Sequence, residues 1–241
     1  MKKFIPIILL VLGIIVLGVV LVLRGRGSGG EDEEAFLREI PLNERPVTSL
    51  TPKEDGHWLK MEIGEVKIAD AKKIDYELLY KTKEGVTQGV PGSVDIAVAK
   101  IERDLLLGSE SSGKFRYDEG VETGTLTLRF RNDRGKLIGK LSTDFHLQKD
   151  VKELTTVDDK FVYTLEKEPK DTFFVTMETF GLPKEIGGVV NGPYGVFASE
   201  AGPFPGSLNL TTQKMRWDGT IWKGIEQNKS PDIGIFVGLG E

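Results

Sequence analysis

Residues 125–148 read TLTLRFRNDRGKLIGKLSTDFHLQ, and a period of two runs through both halves. Leu126, Leu128 and Phe130 alternate with Thr125, Thr127, Arg129 and Arg131. Successive side chains of a strand point to opposite faces, so the apolar three share a buried side and the polar four face solvent. NDRG then supplies a turn. Asn132 and Asp133 can bond nearby amides, and Gly135 tolerates the positive φ that a Cβ opposes. After it, Leu137, Gly139, Leu141, Thr143, Phe145 and Leu147 hold one side, while Lys140, Ser142, Asp144, His146 and Gln148 hold the other. Ile138 falls out of phase on the polar side. An antiparallel hairpin with one buried face follows.

The flanking sequence has the same grammar. Strands are expected at 58–68, 74–81, 93–101 and 114–117, with Gly64 at a phase change that reads as a β-bulge. Several short strands separated by Gly, Asn, Asp and Pro, with no helical spacing, fit an antiparallel sandwich of immunoglobulin-like or fibronectin-like type over 45–149. Residues 150–241 form a second β-rich domain or an extension of the first. There FVYTL and DTFFVTM read as strands, and the Gly- and Pro-rich run 181–206 opposes long regular ones. Aromatic residues from Phe161 to Phe236 supply a second β core. LTPKED at 50–55 and LTTVDD at 154–159 are weakly alike; duplication and common strand-entry chemistry both account for that.

Before the body, Phe4–Leu23 is an uncharged run of a length that spans roughly 30 Å as a helix, the thickness of a bilayer's hydrocarbon core. Pro6 sits in its first turn, where a missing amide costs least. No Ala-x-Ala-like site follows, so residues 1–23 are expected to stay as a transmembrane signal-anchor rather than leave as a signal peptide. Residues 24–44 make a flexible tether and approach: RGRGSGG has little to bury, and EDEE repels itself. With Lys2 and Lys3 retained inside, the N-terminus is cytoplasmic and the body lies outside the cytoplasmic membrane.

Composition narrows the chemistry. The chain of 241 residues carries a formal net charge of −5 and contains no cysteine and two histidines. Disulfides, thiolate metal sites, cysteine nucleophiles and three-histidine metal sites are thereby excluded. Dispersed acidity gives no basic groove for nucleic acid. No phosphate-cradling GxxxxGK[ST], zincin HExxH or Gly-x-Ser-x-Gly elbow occurs, and no cofactor is expected.

The stretches IDYELLYKTKEGVTQGVPGSV, FRYDEGVETGTLTLRFRNDRGKLIGKLSTDFHLQK and FFVTMETFGLP resemble segments of uncharacterised membrane-anchored β-sandwich proteins of bacteria of the candidate phyla radiation. The resemblance covers most of the body from about residue 46. It implies an exported β-sandwich and transfers no functional residues.

Two carboxylate pairs and one Asp/His pair are the catalytic leads. Asp118/Glu119 and Asp158/Asp159 sit in turn-like sequence, where solvation explains them. Asp144 and His146 share a strand face about 6–7 Å apart, which a solvated sheet face explains equally. The recognition leads are Tyr194 and Phe204 within Gly/Pro-rich sequence, and Trp217 and Trp222 flanking DGT. Aromatic side chains on rigid loops bury area at little entropic cost, against the plainer alternative that a β core needs them. The expected function is a non-enzymatic display, adhesion or binding module anchored in the lipid bilayer, with an envelope protein or glycan as partner. An extracytoplasmic hydrolase and a pilin-like filament subunit are the alternatives.

Overall fold

The computed structural model describes residue 34, residues 37–97 and residues 99–240. The Phe4–Leu23 run and most of the tether lie outside the described residues. Among the described residues no helix is long and apolar enough to cross a membrane.

The body is built from antiparallel strands. Its first part contains β1 (Thr48–Pro52), β2 (Trp58–Ile63), β3 (Lys73–Lys81), β4 (Thr87–Asp95), β5 (Ile101–Leu106), β6 (Gly108–Ser111), β7 (Lys114–Tyr117), β8 (Thr123–Arg131) and β9 (Leu137–Lys149). Its second part contains β10 (Glu153–Thr155), β11 (Val162–Leu165), β12 (Phe173–Glu178), β13 (Val189–Ala198), β14 (Gly206–Leu208), β15 (Gln213–Trp217), β16 (Trp222–Gly224), β17 (Lys229–Ser230) and β18 (Ile235–Leu239). A nine-stranded sheet runs β16-β15-β18-β13-β12-β9-β8-β3-β4. The smaller sheets are β1-β2-β5, β10-β11-β14-β17 and the hairpin β6-β7.

The hairpin expected over 125–148 is β8–β9. Pairing steps from Phe130↔Gly139 to Arg131↔Leu137, so Ile138 is the extra residue of a β-bulge, packed against the core. Its break in the sequence pattern marks that bulge. Two other expectations are corrected. The strand from Trp58 ends at Ile63, because Gly64 turns its amide to the Val47 carbonyl at 2.8 Å. The expected strand 93–101 divides between β4 and β5, where the Ala97 amide bonds back to Asp95 O at 3.0 Å in a tight turn.

Register fixes which side chains share a face, since residues directly opposite in an antiparallel pair point the same way. On one face lie Ile74 and Leu78, Leu126, Leu128 and Phe130, Leu141, Phe145 and Leu147, then Val175 and Met177. These pack against Leu50, Leu59, Met61, Ile63, Ile101 and Leu105 of the β1-β2-β5 sheet to form the first core. On the opposite face β12 presents Phe174, with Tyr194, Val196 and Phe236 beside it. That side is covered by Leu154, Tyr163, Leu165 and Leu208 of the β10-β11-β14-β17 sheet, which with Phe161 make the second core. Each half of the large sheet is thus buried on a different face. Pairing crosses residue 150 without a break, from Lys149↔Phe173 to Phe145↔Met177, and from Glu39 onward the chain is one compact unit.

The uncovered half-face on β3, β8 and β9 is polar. Arg131 Nε pairs with Asp75 at 2.6 Å, Arg129 Nη1 with Glu77 at 3.3 Å, and the Thr127 and Ser142 hydroxyls lie 3.1 Å apart. Partly exposed pairs of this kind stabilise by about 0–1 kcal/mol each; their larger effect is to keep the sheet face wet. Edge strand β4 carries Pro91, which donates no ladder bond and so blunts pairing with another chain.

Candidate recognition surface

The four aromatic residues singled out from the sequence do not form one surface. Tyr194 is 4% exposed, its ring stacked on Phe161 at 4.9 Å. Phe204 packs edge-on to Phe174 at 5.1 Å, and its carbonyl accepts the Tyr163 hydroxyl at 2.8 Å. Both serve the second core. Trp217 and Trp222 meet edge to face across β15–β16 at 5.6 Å, and Trp222 Nε1 donates to the Lys184 carbonyl at 2.8 Å. Register puts them on the other side of the sheet: Tyr194 aligns with Phe236 and Arg216, whereas Gly195 aligns with Ile235 and Trp217. The physical reason is the core's need for large side chains, which buries Tyr194 and half-buries Phe204.

Asp144 and His146 share a face of β9 as expected, but each is engaged separately. Asp144 accepts the Thr125 hydroxyl at 2.7 Å, while His146 Nδ1 lies 3.0 Å from the Thr155 carbonyl and 3.2 Å from its hydroxyl. Asp158 accepts the Thr156 hydroxyl at 2.8 Å within its turn, and Asp159 takes a left-handed φ of 55° there. Asp144, Asp158 and Glu178 line a recess of about 180 Å³ that His146 does not enter. Among the described residues no group of three or more His, Asp or Glu side chains is placed to hold a metal ion.

Glu178 is exposed by area, yet loss of water from its crowded side, followed by the Asp158 charge, raises its carboxyl pKa. A raised folded-state value means that stability is fully present below the unfolded pKa and is lost as pH rises through the folded one. Glu178→Gln is therefore expected to raise the thermal midpoint at pH 7 and to leave it nearly unchanged at pH 4. A lower midpoint at pH 7 would show that the ionised carboxylate is stabilising.

The β6–β7 hairpin carries a different aromatic group. Ser112 and Gly113 both have positive φ, 51° and 75°, and Ser111 pairs with Lys114, which makes a two-residue turn matched to strand twist. Alternation along KFRY sends Phe115 and Tyr117 to one side. The Tyr117 ring stacks on His57 with centroids 4.2 Å apart and planes at 7°. Phe115 lies parallel to Tyr117 at 6.3 Å, and Trp58 meets Phe115 edge-on at 5.6 Å. His57 and Trp58 enter β2 after the 53–56 turn, where Asp55 Oδ1 accepts the His57 amide at 3.0 Å. This ridge is open to solvent: Phe115 is 47% and Tyr117 40% exposed.

The ridge leads into a cleft of about 350 Å³ whose walls include Asp55, His57, Asp118, Glu119, Glu122 and Phe173. The Asp118/Glu119 pair and His57 thus line one cleft, although they are about 60 residues apart in the chain. Asp118 accepts the Tyr80 hydroxyl at 2.8 Å. Burial, then that bond and the carboxylate charge, push the Tyr80 pKa up, so the phenol keeps its proton and donates. A wider cleft of about 630 Å³ lies between residues 42–47, 64–67 and 182–187. Its principal cation, Arg45, is already tied to the Ile40 carbonyl at 2.7 Å and to Glu39 at 3.3 Å.

No protein-family model matches the chain, and no curated protein is similar to it.

Proposed function

We propose that the chain is an extracytoplasmic binding module, anchored by Phe4–Leu23 with its N-terminus inside, given reach by the tether, and engaging an envelope protein or glycan. The ring ridge carries this reading, with Phe115 and Tyr117 exposed and His57 and Trp58 half-buried behind them. Large rings left in water are unfavourable for a monomer unless something covers them, and the hairpin holds these in a fixed row. A fibronectin-like first module is part of the proposal. Its support is the connectivity, with β1, β2 and β5 facing β4, β3, β8 and β9.

A hydrolase is the second reading, favoured by one observation: His57, Asp118 and Glu119 line the same cleft. One experiment separates them. The full chain in uncharged detergent is screened against envelope glycans and proteins, beside a broad hydrolase-substrate panel. The binding reading expects a hit that Phe115→Ala/Tyr117→Ala weakens while the chain still unfolds cooperatively. Turnover that Glu119→Gln abolishes in a folded chain would overturn the non-enzymatic reading.

A further inference from the structure

Resting on the reading of the ridge as the contact surface, we infer that its partner is a basic, extended polypeptide segment, recognised through lysine side chains. The molecule's own lysines display the chemistry twice at this surface. Lys53 Nζ stands 5.3 Å over the Trp58 ring and closes on Asp104 at 2.6 Å. Lys149 Nζ stands 5.0 Å over the Phe173 ring, a wall of the adjoining cleft, and closes on Asp171 at 3.0 Å. Ring plus carboxylate is thus a setting in which two ammonium groups rest beside this surface.

The ridge repeats that setting for a partner. Glu110 stands directly opposite Phe115 across β6–β7, and so on the same face. At the other end, Glu119 and Glu122 line the cleft that His57 opens. A lysine stem of four carbons lies along the rings while its ammonium reaches a carboxylate at either end. The rings are strung out rather than gathered into a cage, which suits a chain with cations at intervals better than a single compact ion. Lys53 and Lys149 are already closed on their own carboxylates, so Glu110, Glu119 and Glu122 favour a cationic partner over an anionic lipid surface or a neutral glycan.

The test is fluorescence anisotropy of a labelled peptide of alternating lysine and glycine, titrated with the full chain in uncharged detergent at low salt. A glutamate–glycine peptide, a neutral chito-oligosaccharide and anionic vesicles run beside it. The lysine peptide is expected to bind, and to lose affinity by about 5-fold to 10-fold in Phe115→Ala/Tyr117→Ala, as loss of two exposed cation–ring contacts implies. Glu110→Gln/Glu119→Gln is expected to cost a similar factor and to flatten the salt dependence. Both variants should still unfold cooperatively, the ring variant at a somewhat lower midpoint because its ring contacts are lost. Peptide binding that ignores the ring variant would be diffuse charge attraction and would overturn the inference. Ring-dependent binding of the saccharide or the vesicles instead would overturn the basic partner but leave the ridge as the contact surface. Absence of ring-dependent binding to every probe would overturn both.

Discussion

Phe130→Ala is expected to lower unfolding stability by about 3–5 kcal/mol, because it deletes a fully buried ring and leaves a cavity the sheet cannot close. Phe130 lies on β8 between Ile74 of β3 and Gly139 of β9. A side chain added at Gly139 would run into Ile40 and come within 3.6 Å of Phe130, so the ring and the entry segment already share that space. Denaturant unfolding of the full chain measures the loss. Arg129→Ala is the control from the opposite face: it breaks a half-exposed pair with Glu77 and should cost about 1 kcal/mol or less. Equal losses at the two positions would contradict the assignment of faces.

Phe161→Ala should cost about as much, roughly 3–5 kcal/mol, through the second core. Phe161 is fully buried, stacked on Tyr194 and 5.5 Å from Phe236. Its distinctive consequence is where the loss is felt. β12 sends Val175 and Met177 into the first core and Phe174 into the second, so a single strand belongs to both. Amide exchange should therefore show reduced protection in β12 and in its partner β9, not only beyond residue 150. Full protection of 137–149 in a variant whose remaining C-terminal part exchanges freely would mean that the two cores unfold separately.

The hairpin was legible in the sequence because period-two alternation and a turn sequence are local. Leu126, Leu128 and Phe130 carried the face, and Ile138 marked the bulge by breaking phase. Alternation separates two faces but is silent on what later covers each. Gln148 illustrates this: it sits on the polar side of β9 yet is 8% exposed, because β10 folds over it. Its amide oxygen accepts the Thr155 amide at 3.1 Å, and its Nε2 donates to Thr176 Oγ1 at 3.2 Å. Pairing of β9 with β12, and closure of the second core over the opposite face, join residues far apart in the chain.

The same limit explains the recognition surface. The abundance of aromatics after residue 150 rightly signals a core, and Tyr194 and Phe204 are used up in it. The ridge instead joins His57 and Trp58 to Phe115 and Tyr117 across long separations. Only the KFRY alternation of β7 is visible locally, and nothing in it says that the apolar side stays open. The Asp118/Glu119 pair was visible as composition; its neighbour His57 became evident only from the fold.

The absence of cysteine from the chain makes display of the ridge outside the cell directly measurable. Ser111→Cys places a single thiol at the exposed end of β6, on the hairpin that carries Phe115 and Tyr117. Intact cells expressing this variant are treated with a membrane-impermeant thiol reagent, with and without permeabilisation. Full labelling is expected on intact cells, in a chain still held in the membrane fraction. Labelling only after permeabilisation would place the ridge in the cytoplasm and contradict its display outside.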